Sequence, residues 1–288
     1  MNTLIKDMPS AEYHATKTLS ASGLKLLKKS PLHYWDRNLN PDREPSKPTS
    51  SMALGTATHT AILESSEFDN RYIVVPEGLD GRTTEGKQAK KIIEESGKIA
   101  ISHNDFQDVK AMGDAAKNNE IMRLIFSIEH NVEHSIFFER DGVKCRIRPD
   151  FYIAPCYDYP NGLIMDVKTT QDASQHGFNR TIDTYSYDLQ CEFYSYGFMQ
   201  YFETTEKPKF LFFAIESSAP YANAVYELPD DVYQFATVQN EKLIDLYKSC
   251  LESGEWQGYS KEIVMLNAPQ WKQNMIDSEL YDADFEEL

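Results

Sequence analysis

Long apolar runs are missing from this 288-residue chain. None reaches the ~18 residues that a membrane-spanning helix needs, and the opening Met1-Asn2-Thr3-Leu4-Ile5-Lys6-Asp7 lacks the apolar stretch of a secretory signal. These absences predict a cytoplasmic protein with no membrane partner. Cysteine is sparse as well. Cys145, Cys156, Cys191 and Cys250 are separated by 10, 34 and 58 residues, a spacing that suits neither a CxxC metal knuckle nor a dense disulfide framework, so all four are expected to be buried free thiols. Positive charge is in deficit: 29 Lys and Arg stand against 45 Asp and Glu, a net of −16, which argues against a general electrostatic grip on nucleic acid. No internal repeat or low-complexity linker interrupts the first 270 residues. That favours a single domain over residues 1–270, followed by a flexible acidic tail over 271–288.

What is present belongs to an ordinary globular protein, with 41% hydrophobic and 26% charged residues. The charge is polarised: residues 1–48 carry 8 bases and 5 acids, whereas residues 277–288 carry six acids and no base. A local basic surface is therefore compatible with the acidic total. Ser20 or Ser22 can cap a helix through Leu24, Leu26 and Leu27, and Ser30-Pro31 starts a second short one. Residues 40–50, with three prolines, read as a loop. Met52–Leu63 is a helix of small residues that something must approach closely, and Thr84–Lys117 reads as two amphipathic helices. From Val132 to Glu139 the apolar period becomes two. An Asp141-Gly142 turn, a strand from Val143 to Ile153 and a third from Leu163 to Thr169 follow. Residues 185–203 return to a helix, then strands Phe210–Ile215 and Ala222–Leu228 precede a helix over Asp230–Leu251. The order predicts a mixed α/β (α+β) fold with a central mixed sheet flanked by helices.

Chemistry concentrates in two of these strands, Arg146-Ile147-Arg148-Pro149-Asp150-Phe151 and Ile164-Met165-Asp166-Val167-Lys168-Thr169. If their connection is centred near Asp158, Asp150 and Asp166 lie opposite one another, and opposed residues of antiparallel strands share a face. Lys168 points the same way; Met165 and Val167 point into the core. Two carboxylates that close require a shared proton or a cation between them. A hard divalent ion satisfies that demand, and a nearby ammonium can orient a water or stabilise charge on a phosphate. A solvated hairpin face is the plain alternative, and a one-residue register slip would separate the acids.

Pro149-Asp150 followed by Asp166-Val167-Lys168 resembles the PD-(D/E)xK nuclease signature, with Asp as the second acid. Gly55-Thr56-Ala57-Thr58-His59 is similar to the GxxxH element, and Gln190-Cys191-Glu192-Phe193-Tyr194 to the QxxxY element, of the RecB-like branch of that superfamily. Each spacing of four puts both residues on one helical face. Together with Ser20-Ala21-Ser22-Gly23-Leu24-Lys25-Leu26-Leu27 and Ser30-Pro31, the pattern resembles the RecE (exonuclease VIII) nuclease-domain family over residues 8–250.

The resemblance implies a restriction-endonuclease-like core in which His59, Asp150, Asp166 and the Val167 carbonyl bind metal and Lys168 acts on the attacking water and the scissile phosphate. Gln190 and Tyr194 would position the DNA strand or the lysine, and Ser22 would meet a 5′-phosphate. Arg146, Arg148 and Arg180 are candidate phosphate contacts, each equally readable as a surface or ion-pairing arginine; Glu133 shares a sheet face with the site but is not assigned as a ligand. The implied cofactor is Mg²⁺, with Mn²⁺ able to substitute, at two ions per site. The implied activity is degradation of the 5′-ended strand from duplex DNA ends, by a homo-oligomeric ring working with a single-strand annealing protein of the RecT type. Rivals are an endonuclease or other RecB-like nuclease, and a catalytically silent DNA-binding adaptor. The cysteine spacing does not supply the set that the iron–sulfur nuclease of CRISPR adaptation needs. The acidic end could instead dock on a partner or mimic DNA.

Overall fold

Leu163–Thr170 is a strand whose first five residues are all buried, the signature of a segment covered on both faces. In the computed structural model, which describes residues 2–44, 49–78 and 83–286 with side chains as far as Leu280, it is the middle strand of a five-stranded mixed sheet. Across that sheet the order is Asn223–Tyr226, Lys209–Glu216, Leu163–Thr170, Phe151–Ile153 and Asn131–Val132. Leu163–Thr170 and Lys209–Glu216 run parallel, so the chain must cross over between them. It does so through helices Gln175–Tyr185 and Tyr187–Phe202.

The two faces of the sheet bury different cores. Ile164 joins Phe193, Phe198 and Leu24, on the side of helices Ala21–Lys29, Tyr187–Phe202 and Asp230–Ser253. Leu163, Met165 and Val167 join Ala57, Val109 and Met112, on the side of helices Ser50–Leu63 and His103–Asn118. The antiparallel register pairs Phe151 with Met165 and Ile153 with Leu163. Continued by one residue, it sets Asp150 opposite Asp166, as a connection centred on residue 158 requires.

Both long alternating stretches break where the backbone forbids continuation. Val132 to Glu139 divides at Glu133, whose φ of 54° is left-handed and incompatible with a strand. Beyond it Ser135–Arg140 enters a separate sheet with Thr3–Ile5 and Val143–Ile147. Val143 to Ile153 divides at Arg148-Pro149-Asp150, where proline has no N–H to give a ladder. The polar stretch after Thr84 does hold two helices, Thr84–Ser96 and His103–Asn118, with strand Ile99–Ile101 between them, paired in parallel with Tyr72–Val74. Helices Ser10–Ala15, Glu120–Phe126 and Gln175–Tyr185 had no distinct signal. Of the predicted loop at 40–50, residues 45–48 lie outside the described residues.

Three thiols, Cys145, Cys191 and Cys250, are buried and free; Cys156 is free but exposed in the loop before Gly162, contrary to the expectation for all four. The acidic end expected as a flexible tail is helical over Gln270–Glu286. Pro269 accepts from the N–H groups of Lys272 and Gln273 at 2.9 Å each, and Gln270–Asn274 and Gln273–Asp277 pair one turn apart. Its side chains as far as Leu280 are almost all exposed.

Gly162 precedes the central strand with φ +81°, and a Cβ there would stand 2.6 Å from the Phe198 ring and 2.9 Å from the Ile153 carbonyl. Gly162→Ala combines left-handed strain with overpacking and is expected to cost about 2–4 kcal/mol, read as a lower urea midpoint with an unchanged slope. A midpoint equal to the parent's would show that the Phe198 ring yields freely.

Candidate active site

Helix Ser50–Leu63 starts at Thr49, whose hydroxyl accepts from the Met52 N–H at 3.2 Å. It carries His59 to the broken end of the hairpin, where Nδ1 lies 3.4 Å from Asp150 Oδ2. That same oxygen accepts the Val167 N–H at 2.8 Å. Val167 was expected to serve through its carbonyl; the contact seen is through its amide. Asp166 is 1% exposed. Its Oδ1 accepts from Gln190 Nε2 at 2.7 Å, and its Oδ2 is ion-paired with Lys168. Lys168 Nζ also lies 4.5 Å from the centre of the Tyr187 ring. Sheet alternation and helix periodicity thus bring His59, Asp150, Asp166, Lys168 and Gln190 to one end of the central strands.

Tyr194 lies one turn beyond Gln190. Burial first, then the neighbouring Tyr13 and the carboxylates of Asp166, Asp150 and Glu133, hold its hydroxyl well above the ordinary tyrosine range. Gln190 differs from expectation. Its amide is engaged at both ends, by Asp166 and by Lys25, whose Nζ donates to Oε1 at 3.0 Å, so the lysine it touches is Lys25 and not Lys168.

Three participants were not assigned from the sequence. Glu133 is one: a ligand atom from each of His59, Glu133 and Asp150 falls within 4.8 Å of the others. The left-handed turn that ends the first strand carries Glu133 there, and alternation alone could not foresee that turn. Lys25 and Tyr187 are the other two, and both come from elements far from the hairpin. Burial, followed by the Lys168 ammonium, pushes Lys25 down to about 7.

The acids show the strain of being gathered. Burial raises Asp150 above the usual carboxylate range, with His59 opposing and Asp166 adding to the rise. Burial and then the charge of Asp150 push Glu133 up to about 8. For Lys168 burial works against the charged form, but Asp166 and Asp150 outweigh it and hold the ammonium above its ordinary value. One imidazole and two carboxylates this close form the donor set of a hard divalent cation, Mg²⁺ or Mn²⁺, and fit one. His59, Glu133 and Asp150 would hold it beside Asp166.

A pH dependence follows for the metal-free protein. Folded Glu133 keeps a proton that the unfolded chain loses above about 4.5, so the stability this supplies is complete below that pH and is lost as pH rises to about 8. Thermal unfolding in chelator should show the melting temperature falling across this window, and Mn²⁺ should raise it more at pH 8 than at pH 6. A melting temperature that climbs with pH in chelator would contradict the crowding of these acids.

The remaining expected contacts lie elsewhere. The helix cap is Ser20, which accepts from the Gly23 N–H at 3.3 Å; Ser22 is exposed on the first turn, 3.0 Å from the Ser20 hydroxyl. Arg146 turns inward to the Thr16 and Thr18 carbonyls at 2.7 and 2.5 Å. Arg148 bonds Ser135 Oγ and the Met8 carbonyl and lies 4.1 Å from the Tyr13 ring centre. These two arginines tie the N-terminal segment to the second sheet; Arg146 is buried in doing so, and Arg148 is half-buried. Arg180 is exposed on helix Gln175–Tyr185.

Residues 20–269 match the PDDEXK-like domain of unknown function DUF3799. The chain belongs to that family. A crystal structure of a Eubacterium rectale protein designated a candidate exonuclease superposes on this PDDEXK-like chain with a TM-score of 0.61 at 15% identity, over 91% of this chain and 96% of the other. At that identity the likeness shows the fold alone. The crystal structure of SSO0001 gives a TM-score of 0.28 at 14% identity, over 68% of this chain and 86% of that one, too low to carry an argument. Among curated proteins none matches the sequence. The PDDEXK-like membership and the mixed sheet flanked by helices agree with the expected PD-(D/E)xK, restriction-endonuclease-like core. No helix among the described residues is long and apolar enough to cross a membrane.

Proposed function

We propose that this PDDEXK-like chain is a divalent-metal-dependent exonuclease that enters duplex DNA at an end and degrades the 5′-ended strand, leaving 3′ single-stranded tails for strand annealing. The observation that supports this best is the meeting of an imidazole, three carboxylates and an ammonium at one end of the central strands. The Pro149-Asp150 and Asp166-Val167-Lys168 letters of the family's name fall on them.

In this reading Asp150, Asp166, His59 and the Val167 carbonyl, joined by Glu133, hold Mg²⁺, two ions per site, with Mn²⁺ able to substitute. When bound, the cation supplies charge neutralisation at the phosphate and a more acidic water. Lys168, kept charged by its two acids, is assigned to stabilise negative charge on the phosphate rather than to abstract a proton. Gln190 fixes the orientation of Asp166, and Tyr194 borders the strand. Ser22 and Arg180, both exposed, remain candidates for the DNA track. A ring of several copies with an acidic exterior would discourage DNA from binding outside the pore. A RecT-type annealing protein is the proposed partner, and residues 1–270 the working unit.

The test is strand-resolved digestion of end-labelled linear duplex, with and without a 5′-phosphate, beside a covalently closed circle in Mg²⁺. Loss of nucleotides from the 5′-ended strand of the linear form alone is expected. Cutting of the circle would replace the proposal with an endonuclease.

A further inference from the structure

Lys25 has no part in the chemistry just assigned. Its helix, Ala21–Lys29, buries Ala21, Gly23, Leu24 and Leu27, a 3.6-residue period that leaves Lys25 half-buried at the flank. There its Nζ meets Gln190 Oε1 at 3.0 Å and stands 4.7 Å from the centre of the Tyr187 ring, the ring that Lys168 approaches at 4.5 Å. Gln190 in turn donates to Asp166. Lys25 is therefore two hydrogen bonds from Asp166 and shares an aromatic surface with Lys168. One turn along the same helix, Lys28 Nζ donates to Ser186 Oγ at 2.9 Å. Three ammonium groups thus gather on this side of a chain whose net charge is −16.

The lysines differ in their counter-charges. Lys168 is ion-paired with Asp166, whereas among the described residues no carboxylate lies at ion-pair distance from Lys25. An amide oxygen and a ring face satisfy part of an ammonium, but they do not replace the water it loses on burial. A half-buried cation whose nearest carboxylates, Asp166 and Asp188, act on it only from beyond ion-pair distance is completed by an anion that arrives with a ligand.

We propose that Lys25 contacts a phosphate of the DNA strand bound at the Asp166–Lys168 centre, an inference that rests on the nuclease reading above. The phosphate is either the scissile group or the terminal 5′-phosphate; the ammonium recognises both alike. Lys25 then has two tasks: it holds the Gln190 amide with its nitrogen toward Asp166, and it supplies one charge to the substrate.

Equilibrium binding of labelled linear duplex to the full chain in chelator at pH 6, where Lys25 carries its proton, followed across salt concentration, reads the second task directly. One lost phosphate contact makes the slope of log affinity against log salt about 0.9 less steep. Lys25→Met is expected to show that loss and Lys25→Arg to restore the slope. The loss appearing only with a 5′-phosphorylated end assigns the terminal phosphate; its appearance with both ends assigns an internal one. A parallel Mg²⁺ digestion should show kcat/KM of Lys25→Met reduced about 10- to 100-fold. An unchanged slope with both ends overturns the proposal, whether or not kcat falls, because a residue acting only through Gln190 does not alter the ion count. If binding in chelator is too weak to follow, the same slope is read from the salt dependence of kcat/KM. Failure of the parent chain to bind or digest linear duplex at all would instead overturn the nuclease reading.

Discussion

Asp166→Asn is expected to reduce digestion of linear duplex by about 1,000-fold or more while the protein stays folded. The substitution keeps shape and removes one negative charge from a position that is 1% exposed. Two consequences compound. A bound cation loses the charge of one of its proposed ligands, and the Lys168 ammonium loses its ion-pair partner, so its aim at the phosphate is no longer fixed. Interactions of this kind are each worth several kcal/mol in a partly desolvated site, and every 1.36 kcal/mol is about tenfold in rate. Single-turnover cleavage in Mg²⁺ measures the loss. Because a buried ammonium left alone is destabilising, the melting temperature should fall too. Asp166→Asn combined with Lys168→Met should recover stability without activity, which separates catalysis from folding. A single variant within tenfold of the parent's rate would remove Asp166 from the mechanism.

The second large effect lies on the far side of the helix that carries Gln190 and Tyr194. Glu192, between them in sequence, points away from the site. Its Oε2 meets Arg140 Nη1 at 2.8 Å, with the two side chains only 2% and 3% exposed, and accepts from Asn240 Nδ2 at 2.5 Å. The Arg140 guanidinium also lies 4.2 Å from the Tyr196 ring centre. This network locks helix Tyr187–Phe202 to the second sheet and to helix Asp230–Ser253. Glu192→Ala leaves a buried guanidinium uncompensated and is expected to cost about 3–5 kcal/mol. The urea midpoint should fall with an unchanged slope, and kcat at low temperature should be nearly retained. Replacing Arg140 and Glu192 together by Met should recover most of the loss. A single-variant cost below about 1 kcal/mol would mean that water reaches the guanidinium.

The difference between these two residues illustrates what could be read in advance. Asp166 was legible because strands obey a period of two: Met165 and Val167 had to enter the core, so Asp166 and Lys168 had to share the other face. The turn centre then set Asp150 opposite. Glu192 was not legible as a structural anchor. It stands inside a recognisable QxxxY element, and only the packing of three elements shows that it turns its back on the site. Arg146 and Arg148 misled in the opposite way. Beside a catalytic motif a basic side chain suggests phosphate, yet Arg146 from within its strand and Arg148 from the break before Pro149 both donate to carbonyls of the N-terminal segment.

By itself the sequence determined the hairpin register, the helices that bear His59 and Gln190, the absence of a long apolar span and the acidic total, since each follows from local period, turn chemistry or composition. Tertiary structure alone decided that Glu133 joins His59 and Asp150, that Gln190 faces Lys25, and that the cap is Ser20 and not Ser22. Lys25 and Gln190 are 165 residues apart, and Glu133 depends on one left-handed residue. Where a long side chain ends is set by what packs beside it from distant parts of the chain, and no local period encodes that.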